Sequence, residues 1–270
     1  MLTIKEDENM TEKDIEVQRD NLTIRGTLTI PDDVTTYNLA ILMHGFTSDR
    51  GLNPEHILYR LSEKLVAHNV ATLRFDFNGL GKSDGDFQHM TVVNEIADAE
   101  AILAYARQLP NVQHIYLMGH SQGGVVASML AGLYPEFINH LVLMAPAATL
   151  KTDALKGVLQ GTHYDPHHVP DAVPISLGDH LQVGGAYIRS AQVLPIYEVA
   201  QRYTGPVCII HGDQDHVVDL QASKRYQAVY AQAELHILKD ADHGFHGASR
   251  ETVTDLAVQA VTSPVSTQTK

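Results

Sequence analysis

The sequence is short of cysteine, of basic residues and of long apolar runs, and each shortage excludes something. Its single cysteine, Cys208, leaves no partner for an internal disulfide. Cys208 lies in the apolar run Pro206-Val207-Cys208-Ile209-Ile210, where a packed thiol is the expected role. Lysine and arginine number 19 against 32 aspartates and glutamates, a formal charge of −13. That balance argues against nucleic acid, whose phosphates demand a basic face, and against docking on an anionic membrane. No segment is apolar for long enough to span a bilayer. The stretch Met1 to Met10 is acidic and lacks the apolar centre of a secretory signal, so a cytoplasmic location is expected. Histidine is plentiful at 16 residues. Even so, the cluster His163, His167 and His168 has no carboxylate or cysteine set to complete a metal site, and none is expected.

What is present is enough apolar sequence for one large α/β domain: 270 residues, 44% hydrophobic and 19% charged. Residues 15–30 alternate like a hairpin about Arg19-Asp20-Asn21. Ala40 to His44 reads as a short buried strand. Residues 55–69 carry a helical stripe at Ile57, Leu58, Leu61, Leu65 and Val66. Val70 to Phe77 is the next strand, and residues 78–85 form a glycine-rich loop. Residues 92–108 return to the helical period through Val93, Ile96, Ala97 and Ala101. Strands follow at His114–Met118, Ile138–Met144, Pro206–Ile210 and Leu235–Leu238. This alternation predicts a mostly parallel central sheet with helices on both faces. The rhythm breaks over residues 147–195, which are rich in proline, histidine and glycine, and this stretch reads as an inserted lid. The core is then 1–146 and 196–262, with a frayed polar tail at 263–270.

Gly119-His120-Ser121-Gln122-Gly123 carries the chemistry. An apolar strand precedes it and a helix-like run follows it, which is the setting of a nucleophile elbow. The turn exposes the Ser121 hydroxyl at the carboxyl end of the sheet, and the new helix aims its free N–H groups back at it. Two later loops also open at strand ends. One holds His211-Gly212-Asp213-Gln214-Asp215, the other Asp240-Ala241-Asp242-His243-Gly244. Serine, acid, histidine is the chain order of an α/β-hydrolase triad. Asp213 competes with Asp215, although an aspartate there also suits a turn cap. His246 is the runner-up to His243, and His236 falls inside a strand. His44 and His120 read as loop braces.

The chain resembles the α/β-hydrolases, and more narrowly the lactobacillal cinnamoyl (feruloyl) esterases. The likeness rests on His44-Gly45-Phe46, Gly119 to Gly124, Ala145 to Leu150, Leu194 to Val199, His211-Gly212-x-x-Asp215-x-Val217-Val218 and Asp242-His243. It implies the α/β-hydrolase fold with Ser121, Asp215 and His243 as catalytic residues. It implies an oxyanion hole from the N–H groups of Phe46 and Gln122. It also implies Asp153, Gln160 and Tyr187 as groups that bind the ring hydroxyls of a hydroxycinnamate. Were residues 153–160 helical, Asp153 and Gln160 would share one face, although Gly157 weakens such a helix.

The expected function is a serine carboxylesterase acting on esters of ferulate, caffeate, p-coumarate and chlorogenate type, through an acyl-enzyme and without a cofactor. A homodimer is expected by family analogy. The alternatives are an aliphatic acyl ester or thioester hydrolase of the same fold, and a hydrolase-fold binding protein that no longer turns over.

Overall fold

The computed structural model describes residues 4–7, 10–32, 34–175 and 181–263. Of the expected tail, only residue 263 falls among them. The first half of the chain holds β1 (Ile4–Asp7), β2 (Met10–Arg19), β3 (Leu22–Pro31), β4 (Tyr37–Met43), α1 (Ile57–Ala67), β5 (Val70–Phe75), α2 (Val92–Ala106), β6 (Val112–His120), α3 (Gln122–Leu133) and β7 (His140–Met144). Next come α4 (Leu150–Lys156), β8 (Val158–Leu159), β9 (Thr162–His163), β10 (Ala172–Pro174), β11 (Gln182–Gly184) and α5 (Gly185–Val193). The chain then returns through α6 (Ile196–Ala200), β12 (Val207–Gly212), α7 (Gln221–Val229), β13 (Ala233–Leu238) and α8 (Ala248–Thr262).

Nine strands form one sheet in the order β1-β2-β3-β5-β4-β6-β7-β12-β13. The pairs from β1 to β5 are antiparallel, and every pair from β5 to β13 is parallel. This is an α/β-hydrolase fold. The parallel strands are buried on both faces, so they read as apolar runs. Alternate residues of β4 supply two cores: Leu39, Ile41 and Met43 face α2 and α3, while Ala40 and Leu42 face α1 and α8. β12 divides in the same way, with Cys208 buried beside Ile210. Burial first, then the nearby Glu234 carboxylate, push the Cys208 thiol up to about 12. None of the described helices is long and apolar enough to cross a membrane.

The strand order fixes where a ligand can sit. β5 lies on one side of β4 and β6 on the other. The chain therefore reverses its direction of travel across the sheet at β4, and a crevice opens between the carboxyl ends of β4 and β6. His44-Gly45-Phe46 leaves one strand there and Ser121 leaves the other.

Two expectations need correction. Residues 153–160 are not one helix: α4 stops at Lys156, and Gly157 takes the left-handed conformation (φ 75°) that ends it. Gln160 instead sits with Gly161 in the two-residue turn of the β8–β9 hairpin, both at positive φ. The stripe assigned to α2 is also rotated by one residue. Val93 is exposed, and the buried face runs through Val92, Glu95, Asp98, Ala99 and Ile102. Two carboxylates on that face hid it from a search for apolar periodicity. Asp98 is buried because Arg19 Nε (2.6 Å) and Asn78 Nδ2 (2.6 Å) both donate to it.

α7, which pattern reading did not find, packs against α3 through one buried hydroxyl pair. Ser128 Oγ donates to Val125 O (2.8 Å), so the Tyr226 hydroxyl donates to Ser128 Oγ (2.8 Å). Removing the acceptor strands a buried donor, whereas removing the donor does not strand the serine. Ser128→Ala is expected to destabilise the protein by about 2 kcal/mol and Tyr226→Phe by about 1 kcal/mol in urea unfolding. The double variant should be no worse than Ser128→Ala. A Tyr226→Phe loss exceeding that of Ser128→Ala would contradict this direction of donation.

Candidate active site

A single residue, Ser121, separates β6 from α3, and its backbone sits at φ 56° and ψ −122°. A non-glycine residue there costs on the order of 1–3 kcal/mol and persists only where its surroundings fix it. They do so here. Ser121 N donates to Met144 O at the end of β7 (2.9 Å), and Ser121 O accepts from Gly124 N and Ala147 N (both 3.0 Å). The helix can start this close to the sheet because Gly123 has no side chain, since a Cβ there would lie 2.3 Å from His44 O. The result is a nearly buried serine whose hydroxyl faces the crevice between β4 and β6.

The loops after β12 and β13 bring the other two side chains to it. His243 Nε2 is 2.9 Å from Ser121 Oγ, and His243 Nδ1 is 2.7 Å from Asp215 Oδ2. A carboxylate can only accept, so Nδ1 carries a proton and Nε2 is free to take one from serine. Asp215 Oδ1 accepts from Val217 N and Val218 N, both at 2.8 Å. Burial pushes the Asp215 carboxyl upward, but donation from His211 and His243 outweighs it and leaves Asp215 well below the usual carboxylate range. His211 was not expected in this role. Its Nε2 faces two acceptors, Val218 O (3.0 Å) and Asp215 Oδ2 (3.2 Å), while Nδ1 meets Ser223 Oγ on α7 (2.7 Å).

The competing residues lie elsewhere. Asp213 Oδ1 accepts from Asp240 N (2.7 Å) and holds the β12 loop to the β13 loop. His246 pairs with Asp242 at 2.7 Å on the surface. His236 lies 3.5 Å from Glu234 on β13. His120 Nε2 donates to His243 O (2.9 Å) and so braces the loop carrying His243. Its burial, together with the nearby His243, lowers it to about 3, which keeps it neutral. His44 is fully buried, with Nδ1 donating to Gly45 O (2.8 Å) and Nε2 accepting from Phe77 N (3.1 Å).

The Phe46 and Gln122 N–H groups follow β4 and Ser121 respectively, and neither donates to a described loop or turn carbonyl. Gln122 is held by its side chain. Its Nε2 donates to Glu95 Oε2 (2.7 Å), and its Oε1 accepts from the Tyr187 hydroxyl on α5 (2.6 Å). Glu95 is fully buried, and burial raises it well above the usual carboxylate range. Its other oxygen has no partner among the described atoms, which suits a neutral carboxyl better than a charged one. A helical search that admitted carboxylates to the buried face of α2 would have found Glu95.

Beside Ser121 lies a hollow of about 340 Å³. Phe46, Tyr187, Tyr164, Leu159, Asp153 and Gln160 are among its walls. Phe46 and Tyr187 meet with ring centroids 5.7 Å apart. Burial raises the Asp153 carboxyl, although the Thr149 hydroxyl and Lys156 pull it the other way. Asp153 and Gln160 thus reach one hollow from a helix and a hairpin turn. The Tyr187 hydroxyl is turned to Gln122, leaving its oxygen as an acceptor.

Residues 38–167 match the serine aminopeptidase S33 family, Hydrolase_4. Among solved structures, Est1E from Butyrivibrio proteoclasticus with ferulic acid bound is 31% identical, with a TM-score of 0.85. That alignment covers 92% of this chain and 99% of Est1E. A monoacylglycerol lipase from Mycolicibacterium smegmatis is 22% identical over 86% of this chain and 89% of the lipase. The uncharacterized protein RP471 of Rickettsia prowazekii is 32% identical over 40% of this chain, a match spanning only 44% of its own length. On the strength of the Est1E likeness along almost its whole length, the chain belongs to the α/β-hydrolase superfamily.

Proposed function

We propose that this protein is a serine carboxylesterase that hydrolyses hydroxycinnamate esters through an acyl-enzyme. The observation that carries the reading is the unbroken relay from Asp215 through His243 to Ser121 at the mouth of an aromatic-walled hollow. A serine hydroxyl is a poor nucleophile at neutral pH, and His243 Nε2 is placed to take its proton as Oγ attacks the ester carbonyl. Asp215 stays ionised, fixes the imidazole tautomer and stabilises the imidazolium. Negative charge then grows on the carbonyl oxygen, where the N–H groups of Phe46 and Gln122 would receive it. Each such donor is worth roughly 3 kcal/mol in the transition state. His243 returns the proton to the departing alcohol oxygen. Water repeats the cycle on the acyl-enzyme and releases the acid.

The acyl assignment rests on the hollow. Its volume is at the small end of ligand sites and suits a single aromatic ring with its short unsaturated arm. Asp153 and Gln160 would meet ring hydroxyls there, and a buried polar group rewards a substrate hydroxyl and penalises its absence. Est1E, the relative at 31% identity, was solved with ferulic acid bound. An aliphatic acyl chain would bring the half-buried Asp153 no hydroxyl to bond.

Ser121→Ala should lower kcat on methyl ferulate by about 10⁴-fold or more and abolish labelling by a fluorophosphonate. Asp215→Asn should cost about 10³-fold or more, and Asp213→Ala less than about threefold. A crippled Asp213→Ala beside a mild Asp215→Asn would reverse the acid assignment.

The substrate class is checked by comparing kcat/KM for methyl ferulate with that for a medium-chain aliphatic ester. Methyl ferulate is expected to be faster, and Asp153→Ala should reduce that preference by about tenfold. Faster turnover of the aliphatic ester would reject the aromatic assignment.

A further inference from the structure

Ser121 borders a second hollow, of about 500 Å³, that shares only Phe46 and Ser121 with the first. His243 lines the second hollow and not the first. In acyl transfer the imidazolium must hand its proton to the departing oxygen, so the departing group has to lie on the side of His243. The acyl half then occupies the first hollow and the alcohol half the second.

The charges of this second hollow do not cancel. Arg250, in the first turn of α8, is half-buried in its wall. Its Nη1 donates to Glu55 O and its Nη2 to Gly244 O (3.3 Å). Both partners are carbonyls, and no carboxylate among the described residues lies within ion-pairing distance of it. The other ionisable groups of the wall are accounted for. The Glu55 carboxylate is drawn to Arg60 at 2.7 Å. His246 is tied to Asp242 at 2.7 Å. His56 Nδ1 accepts from Leu58 N (3.2 Å), so its Nε2 donates to Ser48 Oγ (2.9 Å). Burial lowers His56 to about 4, which leaves it uncharged.

A guanidinium has five N–H donors in a fixed fork, and two carbonyls engage only part of it. In a chain of net charge −13, Arg250 thus lines the same hollow as Ser121 with no carboxylate partner among the described residues. We infer that the second hollow is the alcohol subsite and that Arg250 selects alcohols bearing a carboxylate, that is, esters of hydroxy acids. This rests on the acyl-transfer reading of Ser121 and His243 and adds the chemistry of the leaving group. A neutral sugar alcohol would fill the same space without engaging the charge.

The test isolates that charge. Caffeoyl quinate and its methyl ester present the same acyl group and the same ring alcohol, with and without the carboxylate. With wild-type enzyme, kcat/KM is expected to be about fivefold higher for the carboxylate form, in line with a partly exposed charge-assisted contact. Added salt should shrink the ratio through screening. In Arg250→Gln the ratio should fall to about one, and in Arg250→Lys it should stay above one. Taking the ratio within each enzyme cancels any general damage to the loop that Arg250 braces. A wild-type ratio at or below one, or a ratio that Arg250→Gln leaves unchanged, overturns the proposal. If no hydroxycinnamate is turned over, the acyl assignment fails by itself. Butyryl glycolate and butyryl methyl glycolate then provide the same charge comparison, with the same Arg250 dependence expected.

Discussion

The site depends on one strained residue. Ser121 stands at φ 56° because a strand and a helix meet there with no loop between them. Relaxing that geometry would need extra residues, and extra residues would carry the hydroxyl away from His243. The cost of the strain is met by contacts that have other structural roles: the end of β7 receives the Ser121 N–H, and Gly123 lets α3 touch the turn after β4. The same tight junction aligns the start of α3 with the crevice, so the position of the Ser121 hydroxyl and the placement of the Gln122 N–H have one cause.

The remaining partners are held less by strain than by a division of hydrogen-bond roles. Asp215 has both oxygens occupied, one by two backbone N–H groups and the other by two imidazoles. His120 and His44 are neutral braces, each anchoring the loop of a different strand. Protonating either would place a charge where burial disfavours it, and burial lowers both from the ordinary histidine value. Histidines thus serve here in two ways, as the bridge between Asp215 and Ser121 at residue 243 and as neutral struts at residues 44 and 120.

Much of the sheet was legible because parallel strands buried on both faces read as apolar runs ending in glycine or charged loops. The elbow was legible for a different reason: its chemistry requires glycine at fixed offsets from Ser121. What failed to show was polar sequence inside the protein. Glu95 and Asp98 sit on the buried face of α2, so an apolar search rotated that helix by one residue. His211 closes an otherwise apolar strand, and its fixed spacing from Asp215 in the motif did not by itself show that its imidazole supports that carboxylate. The approach of Gln160 to the hollow was hidden because it depends on a two-residue turn at positive φ, which a helical wheel cannot represent.

Glu95 also changes how the hollow has to be read. Donation runs from the Tyr187 hydroxyl to the Gln122 carboxamide and from there to the Glu95 carboxyl. With its proton already placed, Tyr187 can only accept from whatever enters beside it. A free phenol can donate to that oxygen, whereas a methyl ether can only crowd it. The wall of the hollow thus offers an acceptor at Tyr187, at the head of a chain that passes through Gln122 and ends on Glu95. Movement of α5 would shift Tyr187 and release one end of the Gln122 side chain. Helix α5 and the turn at Ser121 are in this way a single hydrogen-bonded unit, although 65 residues separate Gln122 from Tyr187 in the sequence.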